Sequence, residues 1–497
     1  MAERPNLLLI LSDQHARGVM GAYGDPLAPT PNLDRLAARG VTFENAYTPA
    51  PLCTPARMAM LTGRYSHEIG CWTNSDALAS DLPTHAHSLG AAGYAPVLVG
   101  RLHAIGPDQM HGYAERLVGE HSTNWIGGYA HSLGVLERTN DPFRVSVMKS
   151  GPGQSSYEVK DRDVCEAALA KLDDLATAGR PFAMTVGLIL PHQPYVCSAA
   201  DYARFAGRVG PPRLPRPGGN SEHPWLREWR AFTETLEVPD EAVVRARTAY
   251  YGLVASMDRM IGRILDRLEQ RGLVNDTLVV YVSDPGDQLG ERGLWWKQTF
   301  YDQSVAVPLT LAWPGVLPAG ERRNQVVNLI DLAATVLDAL GAPPLPNATG
   351  RSFLAMAKDG GAPWISETFS EYCTDGMARW TPDEPVQQRM IRTGRWKLVE
   401  YAGHRPQLFD LRDDPDEQDD LALDPRAAGV RDALRQRVRA DWNPDLIRLR
   451  MAERVADKRL LQQWARAVRP AESHHWQVRV EDNWLQEPPA PPGGPSC

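Results

Sequence analysis

Short apolar runs alternate with helical periodicity through the first two-thirds of the chain. Residues 7–11, 94–99, 182–190 and 277–282 are too brief for helices and too apolar for half-exposed strands. They predict strands buried on both faces. Between them, residues 86–92 and 163–176 read as helices. Residues 250–268 carry Leu253, Met257, Met260, Ile261, Ile264, Leu265 and Leu268 at helical spacing. Gly272 fits the stop of that helix, and Asn275-Asp276 turns the chain into the next strand. Residues 331–340 form another short helix, ended by Gly341. The alternation predicts an α/β sheet covered on both faces. The Pro- and Gly-rich residues 210–220 predict a surface loop.

From about residue 350 the pattern changes. Residues 390–391, 396–401 and 408–411 read as short antiparallel strands, with turns at Thr393-Gly394 and Ala402-Gly403. The acidic run 413–420 predicts a solvated loop, and residues 426–442 a helix. Residues 488–497 cannot pack alone and read as a tail or inter-subunit arm. The expected division is a large α/β domain at 1–350, an α+β subdomain at 351–445, and a tail or oligomerisation arm at 446–497. The arm implies a homo-oligomer.

Composition narrows the function classes. At 497 residues the chain is long for one core, which agrees with a large and a smaller domain. A formal charge of −8, with no basic stripe or aromatic platform, excludes a general attraction for nucleic acid. No apolar run reaches the length of a membrane span. Residues 1–5 lead straight into the first strand, leaving no export signal to read. Six cysteines form neither a CxxC pair nor a disulfide scaffold. The expected compartment is the cytoplasm.

The most informative stretch is Cys53-Thr54-Pro55-Ala56-Arg57, continuing through Leu61-Thr62-Gly63-Arg64. Pro55 suits the first turn of a helix, so Cys53 sits at or just before a helix N-terminus, where free N–H groups favour an anion. Arg57 returns to the same side one turn later with a fixed positive charge. A buried structural cysteine is the plainer alternative. Asp13-Gln14 follows the first strand, and Asp284 ends another; carboxyl ends of parallel strands are where open sheets place ligands. Two carboxylates and an amide oxygen suit a hard divalent cation, although Asp after a strand is also a common turn cap.

Residues 53–64 read C-x-P-x-R-x-x-x-L-T-G-R, which resembles the signature of the type I, formylglycine-dependent sulfatases. The resemblance continues through residues 6–14, Gly100-Arg101-Leu102-His103, Pro191-His192-Gln193-Pro194-Tyr195, residues 283–297 and residues 391–411. It covers about residues 5–425 in consistent order. It implies an alkaline-phosphatase-like mixed sheet flanked by helices, with a smaller C-terminal α+β domain. It further implies that a maturation enzyme converts Cys53 to formylglycine. Asp13, Gln14, Asp284 and the converted Cys53 would hold one cation, Ca²⁺ first and Mg²⁺ or Mn²⁺ next. Arg57 would stabilise the attacking oxygen, and Arg101 and Lys297 would bind the sulfate. His192, with Lys297, would protonate the leaving alcohol, and His103 would take a proton to expel sulfate.

Two positions depart from the pattern. Arg101 stands where the family usually has Lys, keeping charge but changing geometry. Pro285 stands where a ligating His or Asn normally follows the metal Asp, and it brings no donor unless Asp287 or water substitutes. Residues 106–117 and 290–297 resemble choline-sulfatase-like enzymes, for which Trp72, Trp125 and Trp296 are candidates to line a cationic head pocket. The substrate read from this is a small alkyl or aryl sulfate ester. The rival readings are a phosphonate monoester or phosphodiester hydrolase on the same fold, and a degenerate anion-binding homologue.

Overall fold

Eight strands make the central sheet: β1 (Asn6–Asp13), β2 (Val41–Tyr47), β3 (Val97–Gly100), β4 (Glu115–Leu117), β5 (Ala183–Pro191), β6 (Thr277–Ser283), β7 (Leu309–Ala312) and β8 (Glu321–Asn328). The computed structural model describes residues 4–127, 131–217, 222–377 and 385–486. The sheet order is β8-β2-β7-β6-β1-β5-β3-β4. All neighbours are parallel except β7, which runs antiparallel to β2 and β6. β1 is buried along its whole length. Its residues alternate between two cores, as strand geometry requires. Leu8 and Ile10 join a cluster with Val164, Leu253 and Ile261, whereas Leu7, Leu9 and Leu11 join Leu89, Leu332 and Val336.

Seven helices matter here: α1 (Cys53–Thr62), α2 (His85–Ala91), α3 (Ser156–Ala178), α4 (Asp240–Gln270), α5 (Ile330–Leu340), α6 (Ala428–Val438) and α7 (Pro444–Val468). α3 and α4 cover one face of the sheet, and α2 and α5 the other. α3 starts seven residues before the periodicity does. Its first turns carry the buried polar residues Lys160 and Asp161, which break the apolar pattern, and Ser155 caps it by accepting from Glu158 N. α4 begins at Asp240 for a similar reason, since its first two turns are only partly buried.

A second, antiparallel sheet contains β9 (Glu367–Cys373), β10 (Gln387–Thr393), β11 (Trp396–Tyr401) and β12 (Gln407–Asp410). The three strands expected there are present. β2, β7, β8 and β9 were not legible, because polar residues interrupt them or because they are short. One expectation is corrected. The acidic loop 413–420 is not wholly solvated: Glu417 is buried against Lys397, which also pairs with Asp302. The segment 446–497, expected to be a tail or oligomerisation arm, begins within the 25-residue helix α7. Residues 488–497 lie outside the described residues, as does part of the 210–220 loop. Among the described residues no helix is long and apolar enough to cross a membrane.

Candidate active site

The sheet order brings four strand ends side by side. Asp13 closes β1, Asp284 follows β6, His192 follows β5 and Arg101 follows β3. The register pairs Ser12 with Ser283 and Asp13 with Pro191, so the functional side chains stand at one level. Two glycines let β3 approach β5. A Cβ on Gly187 would sit 1.9 Å from the Arg101 carbonyl oxygen, and one on Gly100 would sit 2.4 Å from Gly187 O. Cys53 is the first residue of α1. The Thr54 amide donates to Asn74 Oδ1 at 3.0 Å and its hydroxyl to His103 O at 3.1 Å, tying this helix start to the adjacent loops. Gln14, His103, Trp296 and Gln298 all have positive φ, and the last two flank Lys297. Left-handed backbone in large side chains is costly and concentrates at functional sites.

The groups named from sequence converge. Lys297 Nζ donates to Cys53 Sγ at 2.7 Å and to Asp13 Oδ1 at 3.3 Å. The Cys53 thiol donates to Asp13 Oδ1 at 3.2 Å. Arg101 Nε and Arg57 Nη2 both reach Asp13 Oδ2, at 2.8 and 3.3 Å. Arg57 Nε donates to Asp284 Oδ2 at 2.8 Å. Burial works against the Asp13 carboxylate, but Lys297, Arg101, His192 and Arg57 together hold its pKa well below the usual range. Asp284 is raised to about 6 by burial and by the Asp13 charge, with Arg57 and Lys297 opposing.

Cys53 behaves otherwise than its helix position predicts. Burial, with Asp13 and Asp284, pushes the thiol up to about 12 despite Lys297 and Arg101. The helix terminus does not offset the burial that disfavours the thiolate. His103 is driven well below its ordinary value by burial and Arg101, and His192 to about 3 by burial and Lys297. His103 Nδ1 accepts from Arg101 Nη2 at 2.8 Å, so its hydrogen is on Nε2. His192 Nδ1 donates to Gln193 O at 2.6 Å, leaving the Nε2 lone pair.

The residues present fit a divalent cation. Gln14 Nε2 donates to Asp287 Oδ2 at 2.6 Å and to Gln193 Oε1 at 2.7 Å, which fixes the amide. Its Oε1 is buried without a hydrogen-bond partner among the described residues. An orphaned amide oxygen beside Asp13 and Asp284 is an acceptor set suited to a hard ion. Asp13, Cys53 and His192 also place one ligand atom each within 4.8 Å of one another. Asp287 does not take the place of the ligand lost at Pro285. Its oxygens accept from Gln14 Nε2, Tyr195 OH, Leu289 N and Trp296 N, so it positions Gln14 instead.

Sequence reasoning missed the layer behind these groups. Glu120, in no recognisable motif, is buried and accepts from the His103 amide at 2.7 Å and the Leu102 amide at 3.2 Å. Its other oxygen lies 3.5 Å from Arg101 Nη1. Cys53, Arg101, His103, His192 and Lys297 floor a cavity of about 650 Å³. Of the three tryptophans proposed for its wall, only Trp125 lines it. Trp72 packs with Tyr65 and Phe369, and the Trp296 indole donates to Ser146 Oγ. The C-terminal helix α7, in the segment expected to be a tail or oligomerisation arm, supplies Gln462 and Arg466 to the same cavity.

The fold and this edge of acids, bases and cations define a hydrolase of the alkaline-phosphatase-like α/β class. Residues 5–342 match the sulfatase family, and residues 290–443 match the C-terminal region of N-sulphoglucosamine sulphohydrolase. The choline-sulfatase of Rhizobium meliloti (strain 1021) is 32% identical over 451 residues, covering 85% of this chain and 83% of that one. A multifunctional alkaline phosphatase superfamily protein, PehA of Trinickia caryophylli, is 30% identical over 485 residues, covering 86% and 93%. Among solved structures, the phosphonate monoester hydrolase of Silicibacter pomeroyi superposes with a TM-score of 0.72 at 26% identity, covering 87% and 94%. The chain belongs to the sulfatase family, whose members are sulfuric ester hydrolases.

Proposed function

We propose that the protein hydrolyses a small alkyl or aryl sulfate ester through a formylglycine made from Cys53. The observation that carries this is the place of Cys53 Sγ, 2.7 Å from Lys297 Nζ and 3.2 Å from Asp13 Oδ1 at the floor of a substrate-sized cavity. A thiol with its pKa raised to about 12 has little chemistry there, whereas a hydrated aldehyde supplies a hydroxyl nucleophile. Asp13, Gln14 and Asp284 would hold the cation, Ca²⁺ before Mg²⁺ or Mn²⁺, which when bound offsets negative charge on the oxygens of ester and nucleophile.

The side chains supply the rest. Arg101 and Lys297 meet the sulfate oxygens and offset the charge that develops as the ester bond breaks. One hydroxyl of the diol gives its proton to the Asp284 carboxylate as its oxygen attacks sulfur, and the alcohol leaves with a proton. Lys297, held protonated, is the ready donor. His192 is neutral in the free protein and gains a proton only as an anionic ester settles beside it. The second hydroxyl then loses its proton, the carbon–oxygen bond to sulfate breaks, and the aldehyde returns. His103 takes that proton once its ring turns away from Arg101. Water rehydrates the aldehyde. Arg57 holds Asp13 and Asp284 in place throughout.

The test is the mass of the Cys53 peptide from protein co-expressed with a formylglycine-generating enzyme. Conversion lowers it by roughly 18 Da, sulfur being exchanged for oxygen with loss of two hydrogens. Converted protein should hydrolyse aryl sulfates, lose activity in EDTA and regain it with Ca²⁺. An intact thiol, or converted protein inert to every ester, would favour the degenerate reading suggested by Pro285. The likeness to a phosphonate monoester hydrolase supports a second reading. Higher kcat/KM on phenylphosphonate monoesters than on aryl sulfates would establish it.

A further inference from the structure

We propose that the chain whose Cys53 is still a thiol holds Zn²⁺, or another borderline-soft dication, on Cys53, His192 and Asp13. Each of the three places one ligand atom within 4.8 Å of the others, and among the described residues no other trio of His, Cys, Asp or Glu does so. Sulfur, an imidazole nitrogen and a carboxylate oxygen are the donors of a zinc site that keeps one position open. The set of Asp13, Gln14 and Asp284 differs from it, because its donors are all oxygen and suit a hard ion. The two share Asp13 alone. On the sulfatase reading, conversion exchanges the sulfur for oxygen. The soft site therefore belongs to the chain before maturation.

The surroundings are those of a ligand set. His192 Nδ1 donates to Gln193 O at 2.6 Å, which leaves the Nε2 lone pair for a metal. A ligating imidazole is commonly fixed through its other nitrogen in this way. The Gln193 side chain is itself tied down, accepting from Gln14 Nε2 at 2.7 Å and donating to Asn140 O at 3.1 Å. Cys53 Sγ lies 3.2 Å from Asp13 Oδ1, close to the roughly 3.3–3.8 Å between neighbouring ligands of a tetrahedral zinc. Cys53 and His192 line the cavity, which gives the ion an entry path and lets water or an anion complete the tetrahedron. The thiol proton leaves for solvent as the Zn–S bond forms, since coordination deprotonates a thiol outright. The cost is positive charge beside the ion: Lys297 Nζ lies 2.7 Å from Sγ, and Arg101 and Arg57 hold Asp13 Oδ2. Asp284, close enough to act on the thiol, offsets part of it.

The experiment uses the full chain expressed without a maturation enzyme, its Cys53 thiol confirmed by peptide mass. Co²⁺ serves as the optical stand-in for Zn²⁺. One equivalent should bring a thiolate-to-cobalt charge-transfer band and the visible bands of a tetrahedral ion, and Zn²⁺ should bleach both. Cys71, Cys165, Cys197 and Cys373 are free thiols too, so Cys53→Ser assigns the band. That variant should lose it and bind Zn²⁺ more than about tenfold less tightly, since even a residue behind a ligand is worth about that much. His192→Ala should weaken Zn²⁺ alike. Thermal unfolding confirms that each variant folds. A wild type without the band, a band that survives Cys53→Ser, or a Zn²⁺ Kd unmoved by either substitution would overturn the proposal. Because the protein measured carries the thiol, absence of turnover after maturation would count against the sulfatase reading alone.

Discussion

Two guanidiniums converge on Glu120, and no sequence pattern marks it. Arg101, Arg116 and His121 lie within 3.5 Å of its oxygens, and two backbone amides of the Arg101–His103 turn rest on Oε2. Glu120→Gln keeps the shape but leaves buried guanidinium charge uncompensated. The expected cost is about 3 kcal/mol in urea unfolding, with kcat reduced roughly 10- to 100-fold. Gly187→Ala tests the strand approach: its Cβ would displace the Arg101 carbonyl, costing about 1–3 kcal/mol by the same measurement. That the side chains at positions 13, 14, 53, 57, 101, 103, 192, 284 and 297 meet in one place was legible because they lie in local strand-end and helix-start motifs. Glu120, Asp287 and Asn74 were not, since a side chain that holds others in place needs only the right neighbours in space. The upward shift of the Cys53 thiol was not legible either. A helix terminus is a local feature, whereas burial beside two carboxylates depends on the fold.

Among the elements, α7 changes most between sequence and structure. Its exposed apolar residues, Leu449, Leu460 and Val468, blur the stripe that would announce a surface helix. Its docking rests partly on the buried ammonium of Lys458, which bridges Asp76 and Asp375 and which hydrophobic patterning cannot reveal. Asn443 caps it by accepting from the Leu446 amide at 3.0 Å, and Asn443→Ala should cost about 1 kcal/mol. Lys458→Met leaves Asp76 and Asp375 buried together without their shared cation. The expected loss is about 3–5 kcal/mol, with faster amide exchange concentrated in α7. β1, β5 and β6 were legible because burial on both faces makes them continuously apolar. β8 was not: it starts with Glu321-Arg322-Arg323, as the edge of a sheet permits.

For the molecule as a whole, histidines far apart in the fold contribute to acid sensitivity. Burial holds His15, His85 and His223 neutral, each with its pKa lowered from 6.5 to about 4. Between those values the unfolded chain binds more protons than the folded one, so stability falls with falling pH. The contribution is full above about 6.5 and lost as pH drops through 4. Urea midpoints should therefore decline from pH 7 to pH 4, and His85→Gln should flatten the decline by about one proton's share. The mixed α/β architecture was legible from the strand–helix rhythm, but the antiparallel β7 was not, because four residues carry too little pattern. The position of β1 has one more consequence. It lies at the centre of the sheet, yet its partners begin only at Ala183 and Thr277. On a ribosome adding about 5–20 residues per second, that oily ribbon waits roughly ten to forty seconds for its first neighbour. Yield in a host cell should thus depend on chaperone supply and growth temperature well before catalysis is in question.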